Sequence, residues 1–405
     1  KTALLLKCDR MGLVEGTKTI TVNRRGRRMY CITTDREMWV AKKRAARVMS
    51  RRVYDLSRKL AGGNISPQGR SEKTDKADRY KRRAERIGSC AHAVSSRVCP
   101  HCNIRYIFRV NLCRDRLCPV CAWRRGKALA ARLRRVVSYN VARNSTNPPR
   151  YLFLTLTVKN CEWGKLRENI ARMMEGWKKL SRRVAFRRAV LGWTRTFEVT
   201  RGRDGRAHPH FHVLLEVPPE YFEKDGPLYL EHDALVRLWA QCLAVDYSPS
   251  VDIRAVKWGK VGGAIAEVTK YLAKGVDIEG LDDTDFAAYA DAIAGVRAWA
   301  CGGSFREADE EMEADELLHT ESQGEEHDPR CDCPLCGREL LEVLETWDDT
   351  VKSYVITRNE RIDEWENCAP SRAGPIYVVN NGGVVNIGEA ACVWNTSPKV
   401  QTRAV

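Results

Sequence analysis

The stretch at 208–215 reads HPHFHVLL and places His208, His210 and His212 at alternate positions. In a β-strand, residues i, i+2 and i+4 point to one face. Three imidazoles would then line one side, and Phe211, Val213 and Leu215 the other. The apolar side reads as a core face. The histidine side reads as a ligand cluster, because neutral imidazole is a common metal ligand; a solvated polar strand face is the alternative. The wider segment WTRTFEVTRGRDGRAHPHFHVLLEV reads as two strands around the turn RDGR. With the turn centred at Asp204–Gly205, Glu198 falls opposite 210–212, and opposed residues share a face. Two imidazoles and a carboxylate form a mixed N/O set suited to Mn²⁺ or Mg²⁺ as well as Zn²⁺.

A second group lies in VGGAIAEVTKYLAKG, which reads as a helix ended by Gly275. Glu267 and Tyr271 are spaced i, i+4 and share a helical face, which Lys274 joins. A base, a phenol and a cation together could deliver a nucleophile to phosphate. A charge-laced amphipathic helix with a half-buried tyrosine accounts for the same residues.

The chain has 16 cysteines. In CPHCNIRYIFRVNLCRDRLCPVC, the pairs Cys99/Cys102 and Cys118/Cys121 have the CxxC spacing of a structural zinc site. Cys90, Cys113 and His101 are spare, and Cys113 could replace one of the four. Arginines crowd this cluster, with Arg114, Arg116, Arg124 and Arg125 the candidate DNA contacts. A second cluster, CDCPLCG, offers Cys331, Cys333 and Cys336 to another zinc, with His327, Cys301 or Cys368 as a fourth ligand.

The formal charge is +17, unevenly spread: 1–150 holds 38 Lys and Arg against 10 Asp and Glu, whereas 276–350 holds 4 against 23. So basic an N-terminal part points to nucleic acid. The acidic stretch reads as a solvated helix or a disordered linker. No apolar run approaches the ~18–20 residues of a membrane span, and the opening KTALLLKCDR is too short in apolar residues for a secretory signal. A cytoplasmic protein with no membrane partner is expected. Composition divides the chain into a basic helical region (1–89, with helices near 36–60 and 72–88), a zinc-binding, DNA-contacting module with a basic helix (90–145), a core (150–276) and an acidic C-terminal region (277–405). In the core, YLFLTLTVKN reads as a buried strand, 163–190 and 231–244 as helices, and SVDIRAV as a strand, giving an α+β fold.

FLTLTVKN (153–160), HPHFHVLL and EVTKYLAKG (267–275), in this order, resemble the three motifs of HUH endonucleases, and most of all plasmid rolling-circle replication initiators of the single-tyrosine type. CRDRLCPVCAWRRG is also similar to that family. The resemblance implies an antiparallel sheet flanked by helices. It implies His210 and His212 as the metal pair, Tyr271 as the nicking tyrosine, Lys274 as the lysine of its YxxK signature, and Glu267 as the glutamate standing for a second tyrosine. Glu198 stands where a third ligand is expected, and His208 is an addition to the minimal motif. The implied reaction nicks and rejoins single-stranded or extruded origin DNA through a 5′-phosphotyrosine. No GxxxxGK[ST] occurs, so a host helicase is implied, with a host polymerase to extend the free 3′-OH. A transposase or mobilisation relaxase with the same chemistry, or a non-catalytic zinc-finger DNA-binding protein, are the alternatives.

Overall fold

The computed structural model describes residues 21–22, 28–29, 36–62, 67–98, 105–223, 226–273, 280–321, 337–359, 377–380 and 383–386. The chain forms two compact units, one containing Met49–Ile87 and Arg114–Ser322 and the other Thr17–Val48, Gly88–Cys113 and Gln323–Val405. The helices expected near 36–60 and 72–88 are Arg36–Ala61 and Pro67–Ser89.

The first unit is built on a five-stranded antiparallel sheet. Its strands are β1 (Arg150–Thr157), β2 (Gly192–Arg201), β3 (Ala207–Val217), β4 (Val251–Val256) and β5 (Trp299–Gly303), in the order β4-β1-β3-β2-β5. Helices α1 (Pro119–Arg143), α2 (Leu166–Leu180), α3 (His232–Leu243), α4 (Val261–Ala273) and α5 (Ser304–Glu321) complete it. The α+β reading of the core therefore holds. The single helix read over 163–190 is broken into α2 and a short helix, Val184–Ala189.

Period-two patterning gives the sheet two chemically different faces. On one face Leu152, Leu154, Leu156, Phe197, Phe211, Val213 and Leu215 are buried beside Ile170, Met173 and Trp177 of α2 and Trp239 of α3. Trp177 and Phe211 meet edge-on at 6.2 Å, and the Trp239 indole donates to the Thr157 carbonyl at 2.8 Å. The other face is apolar only at one end, where Tyr151 and Leu214 join Leu133 and Val137 of α1, Val261, Ile265 and Val268 of α4, and Phe305 of α5 in one cluster. The β2–β3 turn uses Gly205 at φ +80°, a conformation open to glycine, and the Gly202 amide closes the loop onto the Arg206 carbonyl at 2.8 Å.

Sheet and helices are also tied by a buried carboxylate. Glu216, on β3, is 1% exposed and accepts hydrogen bonds from Asn140 of α1 at 2.9 Å, Tyr151 of β1 at 3.0 Å, and the Ser304 hydroxyl that begins α5. Burial pushes its carboxyl above the usual range, and the three donors oppose that shift.

The second unit is a sheet of six strands in the order 383–386, 377–380, 353–359, 341–348, 93–98, 105–110. Strand Leu341–Asp348 pairs antiparallel with Ala93–Val98, so chain from the zinc-module region and from the acidic C-terminal region builds one sheet. Strand β5, also beyond residue 276, joins the first sheet through β2. The divisions drawn from composition therefore do not follow the sheets. Val98, Val343 and Ile356 form one buried cluster of this unit. Lys43 is wholly buried there, its ammonium donating to the Gly88 and Cys90 carbonyls at 2.8 and 2.7 Å.

Glu216→Ala strands three buried or half-buried donors at once, each worth about 1–3 kcal/mol when left unmade. Chemical denaturation should show a loss of about 3 kcal/mol or more. A loss under about 1 kcal/mol would mean that the network does not hold α1 and α5 to the sheet.

Candidate metal centre

The candidate metal-ligand set is placed by strand register. In the β2–β3 ladder Glu198 pairs directly with His210, and Thr196 with His212. These four side chains share the sheet face that carries α4. Glu198 Oε2 lies 2.9 Å from His210 Nε2 and 3.2 Å from His212 Nε2. All three ligand residues are 7% exposed, and their ligand atoms lie within 4.8 Å of one another. The structure thus brings together the carboxylate and the two imidazoles that the hairpin arithmetic picked out.

The surroundings orient these rings. His210 Nδ1 faces the His208 carbonyl at 3.1 Å, an acceptor for an Nδ1 proton, so that an ion taking the place of the Glu198 contact would find Nε2 free as the ligand atom. His212 Nδ1 lies 3.5 Å from the Thr155 hydroxyl. His208 is outside the trio; its Nδ1 sits 2.6 Å from the side-chain oxygen of Asn160. Thr155, Asn160 and Thr196 are positioning residues that the sequence reading passed over. Their place within FLTLTVKN and opposite the histidines was the available signal.

Electrostatics favour the metal-binding protonation states. Burial pushes the Glu198 carboxyl up, but the hydrogen bonds with His210 and His212 outweigh it, and the net displacement is downward. Burial lowers His212 below the ordinary histidine value, more than Glu198 raises it. An ionised Glu198 carboxylate beside a His212 imidazole that burial keeps neutral belongs to the donor set that a divalent ion requires. Nitrogen and oxygen donors with no thiolate fit Mn²⁺, Mg²⁺ or Zn²⁺.

Helix α4 packs over this face. The Thr196 hydroxyl donates to the Val268 carbonyl at 2.8 Å, fastening the middle of the helix beside the trio. Glu267, the preceding residue, is half-exposed and faces Lys270 at 3.3 Å. It still acts on His212, raising its proton affinity. Tyr271 follows one turn later within α4, and its side chain lies outside the described residues, as does Lys274.

The cysteines divide by unit. In the first, Cys118 caps α1 and Cys121 lies in its first turn, where the Arg114 amide donates to the Cys121 sulfur at 3.2 Å. In the second, the Cys113 amide donates to the Cys90 sulfur at 3.4 Å. The two sulfurs of each pair lie within 4.8 Å. Cys90 and Cys113, set aside as spare in the sequence, are therefore paired as closely as Cys118 and Cys121. Cys99 and Cys102 lie outside the described residues, as do Cys331, Cys333, Cys336 and His327. Cys301 is half-buried in β5.

Of the arginines expected to meet DNA, Arg114 is exposed and holds a left-handed backbone at φ +59°. Arg116 donates to the Val296 carbonyl at 2.9 Å, and Arg125 donates to the carbonyls of Arg114 and Asp115 at 3.2 and 3.1 Å. Those two brace the backbone around α1. Arg124 is half-buried.

Comparison with known proteins places the chain in a family. Residues 104–354 match the Rep_1 family, described as replication protein, and the chain belongs to that family. It is similar to a protein rep of Bacillus amyloliquefaciens, 28% identical over 347 residues that cover 78% of this chain and 93% of that one. It is also similar to a protein rep of a Bacillus species, 33% identical over 49% of this chain and 68% of that one, and to a protein rep of Streptococcus pneumoniae serotype 2 (strain D39), 36% identical over 43% and 54%. No solved structure matches the chain. Among the described residues no helix is long and apolar enough to cross a membrane.

Because both imidazoles must be neutral to bind, protons compete with the ion only as pH falls. For His212 that competition begins below the ordinary value of 6.5. Mn²⁺ affinity measured by calorimetry should be flat above about pH 7 and fall steadily below about pH 6. His212→Ala should weaken it at least about tenfold at neutral pH. Unchanged affinity in that variant would place the ion elsewhere.

Proposed function

We propose that this replication protein starts and ends rolling-circle replication at a plasmid origin by nicking and rejoining one DNA strand through a 5′-phosphotyrosine on Tyr271. The observation that carries the reading is the buried Glu198–His210–His212 trio beneath the helix that holds Glu267 and Tyr271. A divalent ion held by these three residues would polarise the non-bridging oxygens of the scissile phosphate.

The protein's own residues supply the rest. The Tyr271 oxygen attacks phosphorus, the bond to the 3′-oxygen breaks, and that oxygen leaves with a proton as a free 3′-OH. The phenol, which titrates near pH 10 when free, gives up its own proton as it attacks. Lys274 neutralises charge gathering on the phosphate. Glu267 takes the proton from the water or DNA hydroxyl that later releases the adduct. His208, held by Asn160, keeps the strand end in place beside His210. The substrate is single-stranded or extruded, since its phosphate must reach a buried trio. A host helicase and polymerase would open the duplex and extend the 3′-OH. Membership in a replication-protein family favours this reading over a transposase or mobilisation relaxase with the same site, and over a non-catalytic zinc-finger protein, which would not need to keep the trio.

A structural zinc accompanies the reading. Cys118 and Cys121 provide two thiolates, and Cys99 and Cys102 provide the others. Zinc analysis should find at least one equivalent, lost in Cys118→Ser together with stability. Replacing Cys99 and Cys102 by serine should lose the zinc likewise. A zinc-free protein would refute the assignment.

Tyr271→Phe keeps the ring and removes only the nucleophilic oxygen. It should bind origin DNA normally, with covalent adduct and nick both reduced at least about a thousandfold. Glu267→Ala should nick at the normal rate, then accumulate adduct and multi-unit DNA because release fails. If Glu267 serves only its partner Lys270, nicking and release should weaken together. Denaturing gels of adduct against time separate these outcomes, and normal release by Glu267→Ala would remove Glu267 from the chemistry.

A further inference from the structure

The buried part of the sheet face opposite the metal centre is apolar except at one residue. Arg195 lies on β2 between Trp193 and Phe197, out of phase with Thr196 and Glu198, and is only 5% exposed. No carboxylate meets it. Its guanidinium lies over the Phe211 ring, 4.3 Å from the centroid, and 5.9 Å from that of Trp177. Among the described residues its Nε and Nη1 have no hydrogen-bond partner, and neither has the buried indole nitrogen of Trp177. A buried, unpaired charge is costly, so a protein that keeps one usually presents it to something of opposite sign.

Arg195 lines a cavity of about 700 Å³ between α2, β2 and the segment that enters β5. Five further cations line it: Arg167, Lys178 and Arg182 from α2 and the turn after it, with Arg297 and Arg306 opposite. Trp177 and Trp193, stacked edge-on at 4.9 Å, form the aromatic part of the wall. No Asp or Glu lines the cavity. A neighbouring cavity, also rich in arginine, differs in holding two carboxylates, Asp115 and Asp291, the first paired with Arg83 at 2.7 Å. Burial and the nearby charge of Arg297 push Arg195 down to about 10, which leaves it cationic at neutral pH.

We propose that this cavity is a second nucleic-acid site, in which Arg195 and the surrounding cations bind a phosphate group of single-stranded DNA on the sheet face away from the metal centre. All the unmatched groups are donors, so the ligand must be an acceptor; of the six cations Lys178 faces Glu175 at 3.5 Å, and the excess of positive charge that the other five leave favours an anion. Arginine fits phosphate with paired N–H groups, and the tryptophan wall suits a base or sugar carried with it. Such a site would hold strand remote from the scissile phosphate, whether or not this chain nicks DNA. A free nucleotide presents the same phosphate chemistry, and the experiment separates the two sources.

The test uses the full chain without added divalent ion, and two probes: a fluorescein-labelled dT oligonucleotide of about twelve residues and a fluorescent nucleoside triphosphate. Arg297→Glu with Arg306→Glu should weaken oligonucleotide binding about tenfold or more at ~0.1 M salt and flatten its salt dependence. Arg237→Glu with Arg254→Glu makes the same charge change outside the cavity and should cost less than about threefold. Arg195→Gln should lose affinity with no fall in melting temperature, because it removes an unpaired buried charge. Leaving out the divalent ion keeps this reading distinct from the metal centre. Loss of triphosphate binding alone would support a phosphate site but assign it to free nucleotide. Unchanged binding of both probes in the cavity variants, or equal weakening in the control pair, would overturn the proposal.

Discussion

The pairing register of β2 with β3 is the constraint on which the rest depends. Because side chains alternate faces, a slip of one residue between these strands would turn Glu198 away from His210 and into the apolar layer. It would also carry Phe197 to the polar face and remove its edge-on contact with Phe211, 6.0 Å away. The apolar layer and the metal trio thus enforce the same register. Gly205 at the turn fixes it from one end, and Glu216, reaching Asn140, Tyr151 and Ser304, holds it at the other.

The two faces of the sheet do different work. On one, short polar side chains (Thr155, Thr196) surround the trio and receive α4. On the other, aromatic rings give β3 a dry backing of the kind that keeps a ligand set rigid. Pre-set geometry matters because positioning is most of what a protein contributes to phosphoryl chemistry. Glu198 already faces both Nε2 atoms, so ion binding replaces contacts without requiring new rotamers.

Much of this was legible in the sequence because it is local. Two strands joined by a short turn have a register that can be counted, and the count placed Glu198 against the histidines. Leu152, Leu154 and Leu156 announced their face by alternation, and α4 by its helical period. What stayed hidden is long-range. Nothing in 341–348 announces Ala93–Val98 as its partner some 245 positions away in the chain. WACGG, which became β5, is too short and glycine-rich to read as a strand before an acidic helix. The CxxC spacing drew attention to Cys99 and Cys102, whereas Cys90 and Cys113, 23 residues apart, are neighbours only because the strands between them fold back as a hairpin. Arg195 looked like one more basic residue until the aromatic rings around it were placed.

The bond from the Thr196 hydroxyl to the Val268 carbonyl makes α4 sensitive to insertions on one side of a single residue. Each residue added to a helix turns everything beyond it by about 100°. An insertion in the loop before Val261 can be absorbed while the anchor keeps its place. One between Val268 and Tyr271 would rotate the helix end away from the trio although composition and helical propensity hardly change. Natural length variation in this protein should therefore collect upstream of the anchor, with the spacing from Val268 to Tyr271 invariant.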